Sequence, residues 1–261
     1  MTTRIELEYG DQQARVRFIG EKGIQLLSAA TREELAKALM ELESRPDCRV
    51  VVFEAAGRTF IAGADIKELQ SLDPQSAVEC ARETHVLFER IERLPAVTIA
   101  AIHAACAGGG FELALACDVR LAAESAKIGL PEVTLGLIPG WGGTVRATRM
   151  FGPAVARALI LSGELLPAQR AYELGLVQGI AADDDFAEFV QRRVDVFRQR
   201  SPAAIRTAKR LIRELCAADG DPFDREAEAF AACYESPDAR EGMAAFLEKR
   251  AANWGTTEAG P

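Results

Sequence analysis

Two glutamates, Glu112 and Glu132, stand in segments whose composition suits acid–base chemistry. Glu112 closes the stretch Ala107-Gly108-Gly109-Gly110-Phe111-Glu112. Three successive glycines between a strand and a helix cost chain entropy, and usually accompany close approach of something to the backbone. They also open a helix whose first N–H groups lack intrahelical partners and attract negative charge. The run is neither G-x-G-x-x-G nor a Walker A loop, since no G-K-[ST] follows it. Glu132 lies in Ile128-Gly129-Leu130-Pro131-Glu132, ahead of the glycine-rich segment from Leu135 to Thr144. Its apolar neighbours would disfavour the ionised form by desolvation, which is what a general acid near neutral pH needs. A third segment, Phe60 to Lys67, carries small residues at Ala62, Gly63 and Ala64, followed by Asp65. Asp65 is suited to cap a helix and leave amides near Ala64 free to donate. Taken singly, each segment also reads as ordinary structure: a turn and cap, tight packing, a surface carboxylate. Together they offer paired amides for a developing oxyanion and paired carboxylates, one to deliver a proton and one to activate water.

Nothing supplies a Ser-His-Asp set. His85 and His103 follow no nucleophile motif, and are expected on a helix face and in a structural hydrogen bond, respectively. The six cysteines form no C-x-x-C pair, and neither histidine lies at ligand spacing to one, so reduced, packed thiols are expected and no metal site.

The elements that must position these groups follow from periodicity. Arg4 to Tyr9 and Ala14 to Phe18 alternate as two strands of a hairpin. Thr31 and Glu34 have capping-box spacing for a helix running to about Glu43. Arg49 to Glu54, Val97 to Ile102 and Val119 to Ala123 are buried strands, with helices at Gln75 to Arg93 and Gly110 to Ala116 between them. Strands alternating with helices imply an α/β architecture. From about Asp184 the pattern is helical: Phe186, Phe189, Val190, Val194 and Phe197 share one helix face. Further helices are expected from Pro202 to about Ala218, from Asp221-Pro222, and from Pro237 to about Arg250, with a frayed tail from Gly255 to Pro261. This gives a catalytic core over 1–195 and a helical region over 196–261, packed on the core or on a neighbouring subunit.

Composition excludes several classes. The 261 residues are 49% hydrophobic and 27% charged, the mix of an ordinary globular protein. A net charge of −8 disfavours general binding to nucleic acid or anionic lipid. No 18-residue apolar run is present and the amino terminus has no basic region ahead of an apolar stretch, so no membrane span and a cytoplasmic location are expected.

The segments AGADIK at 62–67, AGGGFELALACD at 107–118 and PEVTLGLIPGWGGT at 131–144 resemble the crotonase superfamily of enoyl-CoA hydratases and isomerases. The resemblance extends through LSGELLPAQRAYELGLV at 161–177 and EGMAAFLEKR at 241–250, and the motifs arrive in the family's order. It implies a spiral of β-β-α turns followed by helices that form a homotrimer or a dimer of trimers. It implies an acyl-CoA thioester as substrate, so that coenzyme A enters with the substrate and no separate cofactor is needed. The thioester oxygen would lie between the N–H groups of Ala64 and Gly109. Glu132 would exchange a proton with the α-carbon, Glu112 would activate the water added at the β-carbon, and Gly140 N–H would help hold that water. The resemblance also places the adenine end of CoA near Ala62 and Ile66, and its phosphates near Lys249 and Lys22. Both glutamates are retained, which favours hydration; the alternatives are a double-bond isomerase and, more remotely, a non-catalytic CoA- or RNA-binding member. Three positions depart from the family pattern: the stretch Gly20 to Ser28, Ala104 and Trp141. Trp141 either narrows the acyl pocket or packs between subunits, and packing between subunits is the expectation.

Overall fold

A computed structural model of the chain describes residues 2–200, 202–216, 227, 230–231, 234, 237–250 and 252. The start of the helix expected from Asp221-Pro222 and the tail from Gly255 lie outside the described residues, while Ala227, Phe230 and Ala231 are helical.

Strands β1 (Thr3–Gly10) and β2 (Gln13–Gly20) form the expected hairpin, in register from Thr3–Gly20 to Gly10–Gln13. Thereafter the chain repeats one unit: a long strand, a short strand, then helix. The long strands β3 (Val50–Ala56), β5 (Val97–Ile102) and β7 (Val119–Ala123) add in parallel to β2, and β10 (Gly179–Ala181) closes the sheet in the order β1-β2-β3-β5-β7-β10. The short strands β4 (Thr59–Ile61), β6 (Ala105–Ala107) and β8 (Lys127–Gly129) build a second, parallel sheet, edged by antiparallel β9 (Leu166–Pro167). Helices follow the strand pairs: α2 (Ile66–Gln70) and α3 (Pro74–Arg93) after β4, α4 (Gly109–Ala116) after β6, and α5 (Gly143–Ser162) after β8. Helix α1 (Ala29–Glu43) follows the hairpin; α6 (Ala168–Glu173), α7 (Phe186–Arg198), α8 (Pro202–Cys216) and α9 (Pro237–Glu248) come later in the chain.

The run Val50 to Phe53 is apolar throughout because both sheet faces are covered. Val51 and Phe53 join the main core, while Val50 and Val52 pack with Val97, Ile99 and Leu121 against Phe186, Val190 and Val194 of α7. The helical periodicity from Phe186 thus marks the face that covers this sheet. The start of α1 differs from expectation. Ser28 is the cap, its Oγ accepting from Thr31 N at 3.2 Å. The Glu34 carboxylate instead accepts from Ile5 N at 2.7 Å, drawn away by the edge of the hairpin. The short strands β4, β6 and β8 also went unread, because three residues are too few to show a period.

Two cations, the half-buried Lys209 and the fully buried Arg120, lock the periphery to the core. Lys209 of α8 donates to Leu94 O at 2.9 Å and Ala96 O at 2.7 Å, and pairs with Asp118 Oδ2 at 2.6 Å. Asp118 in turn accepts from Thr98 N and Thr98 Oγ1. Arg120 is 2% exposed and donates to Leu176 O, Cys117 O, Ala114 O and Gln178 Oε1 over 2.8–3.3 Å. Burial pushes its pKa down to about 10, so it stays charged at neutral pH. Ala114 O also accepts from Cys117 N, and Gln178 Oε1 from the Arg120 backbone N–H, so the loss of this guanidinium falls on Leu176 O and Cys117 O; buried acceptors left unpaired cost about 1–3 kcal/mol each. Arg120→Ala is therefore expected to lower unfolding stability by at least about 2 kcal/mol, read as a fall in the denaturant midpoint; an unchanged midpoint would contradict the role given to this side chain.

Candidate active site

The carboxyl ends of β4, β6 and β8 deliver the three segments singled out from sequence. The parallel pairings Ile61–Cys106, Cys106–Ile128 and Ala107–Gly129 bring those ends side by side. After β4, Ala62 N donates to Gln25 O at 2.8 Å and Gly63 O accepts from Leu27 N at 2.9 Å, so the preceding chain pins the turn. Asp65 then caps α2 as expected, accepting from Lys67 N at 3.0 Å. After β6, Gly108 turns the chain into α4 with φ 52° and ψ −126°, a conformation strained for any residue with a Cβ. A Cβ on Gly110 would lie 2.2 Å from Ile61 O, so only glycine lets α4 start this close to β4.

These approaches set two amides together. A Cβ on Gly109 would lie 3.6 Å from Ala64 N, and one on Gly63 would lie 4.0 Å from Gly109 N. Gly109 is the first residue of α4, so its N–H has no intrahelical acceptor. Among the described residues neither the Ala64 nor the Gly109 amide donates to a protein oxygen.

The two glutamates flank this pair. Glu112, in the first turn of α4, is 2% exposed, and its Oε1 accepts from Trp141 N and Gly143 N, each at 2.8 Å. Glu132 begins a 3-10 turn, Glu132–Leu135, after β8. Its carboxylate faces the start of α4: a Cβ on Gly108 would lie 3.0 Å from Glu132 Oε1. Burial differs from expectation. Glu132 is half-buried at the cavity rim, and the deeply buried carboxylate is Glu112, because the loop 139–143 folds over α4 and not over the 3-10 turn.

Ala64, Gly109, Glu112, Glu132 and Gly140 line one cavity of ≈ 430 Å³, and Ala62 and Ile66 line it as well. Phe246 and Leu247 of α9 form part of its wall, and α9 seats on the 3-10 turn where Gly242 meets the Leu135 backbone. Lys22 and Lys249 do not line the cavity, although Ile24 and Leu247, two residues from each, do. Both lysines are exposed and hold left-handed backbone, φ 56° and 54°.

Trp141 is corrected from its expected place between subunits. It is 2% exposed within the single chain, lines the cavity, and lies where a Cβ on Gly109 would come within 2.5 Å of its Cζ3. The Arg32 guanidinium carbon sits 5.0 Å from its ring centroid. Arg32 and Phe230 carry no signal in the sequence, and His85 stands on a helix face as expected but with a distant loop carbonyl as its partner. Phe230 covers Gly140, and His85 Nε2 donates to Gly140 O at 2.9 Å. Their partners are far away in sequence, so no local pattern marks them. Cys48, Cys80, Cys106 and Cys117 are free thiols, and Cys216 and Cys233 lie outside the described side chains. Burial pushes the thiols of Cys80, Cys106 and Cys117 up, which keeps them protonated near neutral pH and unsuited to nucleophilic chemistry. Among the described residues no helix is long and apolar enough to cross a membrane.

The sequence matches the family model for enoyl-CoA hydratase/isomerase over residues 19–257. It is 42% identical over 246 residues to the "Probable enoyl-CoA hydratase" of Bacillus subtilis, covering 92% of this chain and 94% of the relative. It is 34% identical over 252 residues to the crotonyl-CoA hydratase of Syntrophomonas wolfei, covering 96% and 97%. The fold superposes on the crystal structure of an enoyl-CoA hydratase from Mycobacterium avium subsp. paratuberculosis with a TM-score of 0.86 at 28% identity, covering 96% of this chain and 98% of that one. Strand-pair repeats, motif order and these likenesses agree: the chain has the crotonase fold and belongs to the enoyl-CoA hydratase/isomerase family.

Proposed function

We propose that the protein is an enoyl-CoA hydratase, adding water reversibly to a 2-enoyl-CoA to give a 3-hydroxyacyl-CoA. The observation that carries this reading is the gathering of two carboxylates and two undirected amides on one cavity. With the thioester oxygen between Ala64 N–H and Gly109 N–H, electron density drawn from the double bond gathers on that oxygen as water attacks the β-carbon. Preorganised donors at such a position are worth roughly 3–4 kcal/mol each. Glu112 takes a proton from the attacking water, and Gly140 N–H helps hold that water. Glu132 delivers a proton to the α-carbon as the enolate collapses. The water supplies the hydroxyl at the β-carbon, one proton passes to Glu112 and one leaves Glu132, so the protein's proton count is unchanged, and transfer of a proton from Glu112 to Glu132 through solvent restores the starting state.

The substrate's acyl and pantetheine parts fill the apolar cavity, with the CoA adenine near Ala62 and Ile66 and its phosphates toward Lys22 and Lys249. The RNA-binding alternative would draw on local basic pairs such as Arg192-Arg193 and Lys209-Arg210, but the Lys209 ammonium is engaged with Asp118 and two carbonyls. The isomerase alternative uses the same amides and one glutamate, and incubation with a 3-enoyl-CoA discriminates it by product. The assembly we propose is a homotrimer or a dimer of trimers, in the cytoplasm.

Two measurements test this reading. Glutamine keeps a carbonyl oxygen for the Trp141 and Gly143 amides, so Glu112→Gln preserves the loop while removing the base; Glu132→Gln likewise removes the acid. Each is expected to cut crotonyl-CoA hydration at least roughly 100-fold, followed by loss of absorbance of the conjugated thioester. Near-wild-type hydration by either folded variant would remove the assignment. Deleting the chain from Pro237 strips Phe246 and Leu247 from the cavity wall. CoA affinity should fall by at least about tenfold, or 1.4 kcal/mol, by calorimetric titration, and light scattering should register loss of the oligomer. A truncated protein that stays oligomeric and binds CoA as before would contradict both.

A further inference from the structure

The peptide group joining Gly140 to Trp141 is held at both ends. Its carbonyl oxygen accepts from His85 Nε2 at 2.9 Å, and its N–H donates to Glu112 Oε1 at 2.8 Å. A carbonyl oxygen only accepts, so His85 carries its donated proton on Nε2. A peptide group is planar and its N–H points opposite to its C=O, so anchoring the oxygen aims the N–H. His85 is 5% exposed and lies on the inner face of α3. Phe88 and Glu92, three and seven residues further on, share that face. Glu92 Oε1 pairs with Arg146 Nε at 2.5 Å, and Arg146 Nη1 donates to Trp141 O at 3.0 Å. The Arg146 guanidinium carbon lies 5.9 Å from the Phe88 ring centroid. Two successive carbonyls of the loop are thereby held from one helix, the second by way of Arg146, and the loop's N–H groups at Trp141 and Gly143 converge on Glu112.

We propose that His85 is a positioning residue for Glu112: it orients the Gly140–Trp141 peptide so that the Trp141 N–H directs the carboxylate toward the reacting water. The inference rests on the reading of Glu112 as the base that activates water. His85 touches neither substrate nor the reacting atoms in this scheme. Its effect is on the rotation of a carboxylate, and small misplacements of a catalytic group cost rate more than binding.

Three substitutions at position 85 test it. Glutamine can place its amide nitrogen where Nε2 stands, while asparagine stops short, nearer the position of Nδ1, and leucine donates nothing. His85→Leu is expected to lower kcat at least about tenfold with KM within about twofold, and His85→Gln to restore most of the loss, whereas His85→Asn does not. In the Glu112→Gln background His85→Leu should add less than about a twofold loss, since the group it positions is gone. A wild-type kcat for His85→Leu, or the same factor of loss with and without Glu112, would overturn the proposal. Should the leucine variant fail to fold, equal kcat values for the glutamine and asparagine variants would overturn it. Should the wild type hydrate no enoyl-CoA, the proposed function falls separately, and the crystal structure of His85→Asn decides the positioning. A Trp141 N to Glu112 Oε1 separation beyond 3.5 Å supports the inference, and a retained 2.8 Å contact overturns it.

Discussion

The parallel register of three short strands is the constraint on which the site depends. β4, β6 and β8 are three residues each, far too short to stand alone, and they exist because the longer strands β3, β5 and β7 hold their starting points a strand spacing apart. Parallel pairing puts all three carboxyl ends at the same edge. Each end then releases a different group: an amide at Ala64, an amide with a buried carboxylate at Gly109 and Glu112, and a second carboxylate at Glu132. A slip of one residue in any short strand would turn its segment away from the others.

Close approach is the second requirement, and it explains the glycines. Gly108 turns the chain, Gly109 leaves room beside Trp141, and Gly110 admits the Ile61 carbonyl. A helix that starts this near a strand end leaves its first N–H directed into the cavity with nothing of its own to bond. The loop 139–143 then folds over the same helix and supplies the two donors that hold Glu112. Amides are thus used in opposite senses a few ångströms apart: some aimed at a carboxylate of the protein, others left for an oxygen of the ligand. The distinction follows from backbone geometry and not from side-chain type.

Much of the architecture was legible. The long strands are β-branched and apolar on both faces, and their boundaries at Val97–Ile102 and Val119–Ala123 agree with the sequence expectation. The face of α7 is marked by Phe186, Val190 and Val194 at helical spacing. Asp65 announces a helix start by residue type, and the helix expected from Gln75 begins one residue earlier, at Pro74. The start of α1 was misread because Thr31 and Glu34 have the spacing of a capping box, whereas Glu34 found a stronger use on the unpaired amide of Ile5. Trp141 was misplaced for a related reason: a large aromatic in a glycine-rich loop carries no sign of whether its own chain or another will cover it.

What the sequence by itself determined is which residue types occupy each segment: a glycine run before Glu112, a proline before Glu132, small residues around Ala64, and periods of two and 3.6 that separate strand from helix. Those are local properties, written in side-chain size and backbone freedom. What only the tertiary structure decided is which of these segments meet, that Glu112 and not Glu132 is the deeply buried acid, and that His85 reaches Gly140 across 55 positions of chain. Such pairings depend on strand register and on how one helix packs over a loop, and those are set by the whole core folding at once, leaving no trace in any short window of residues.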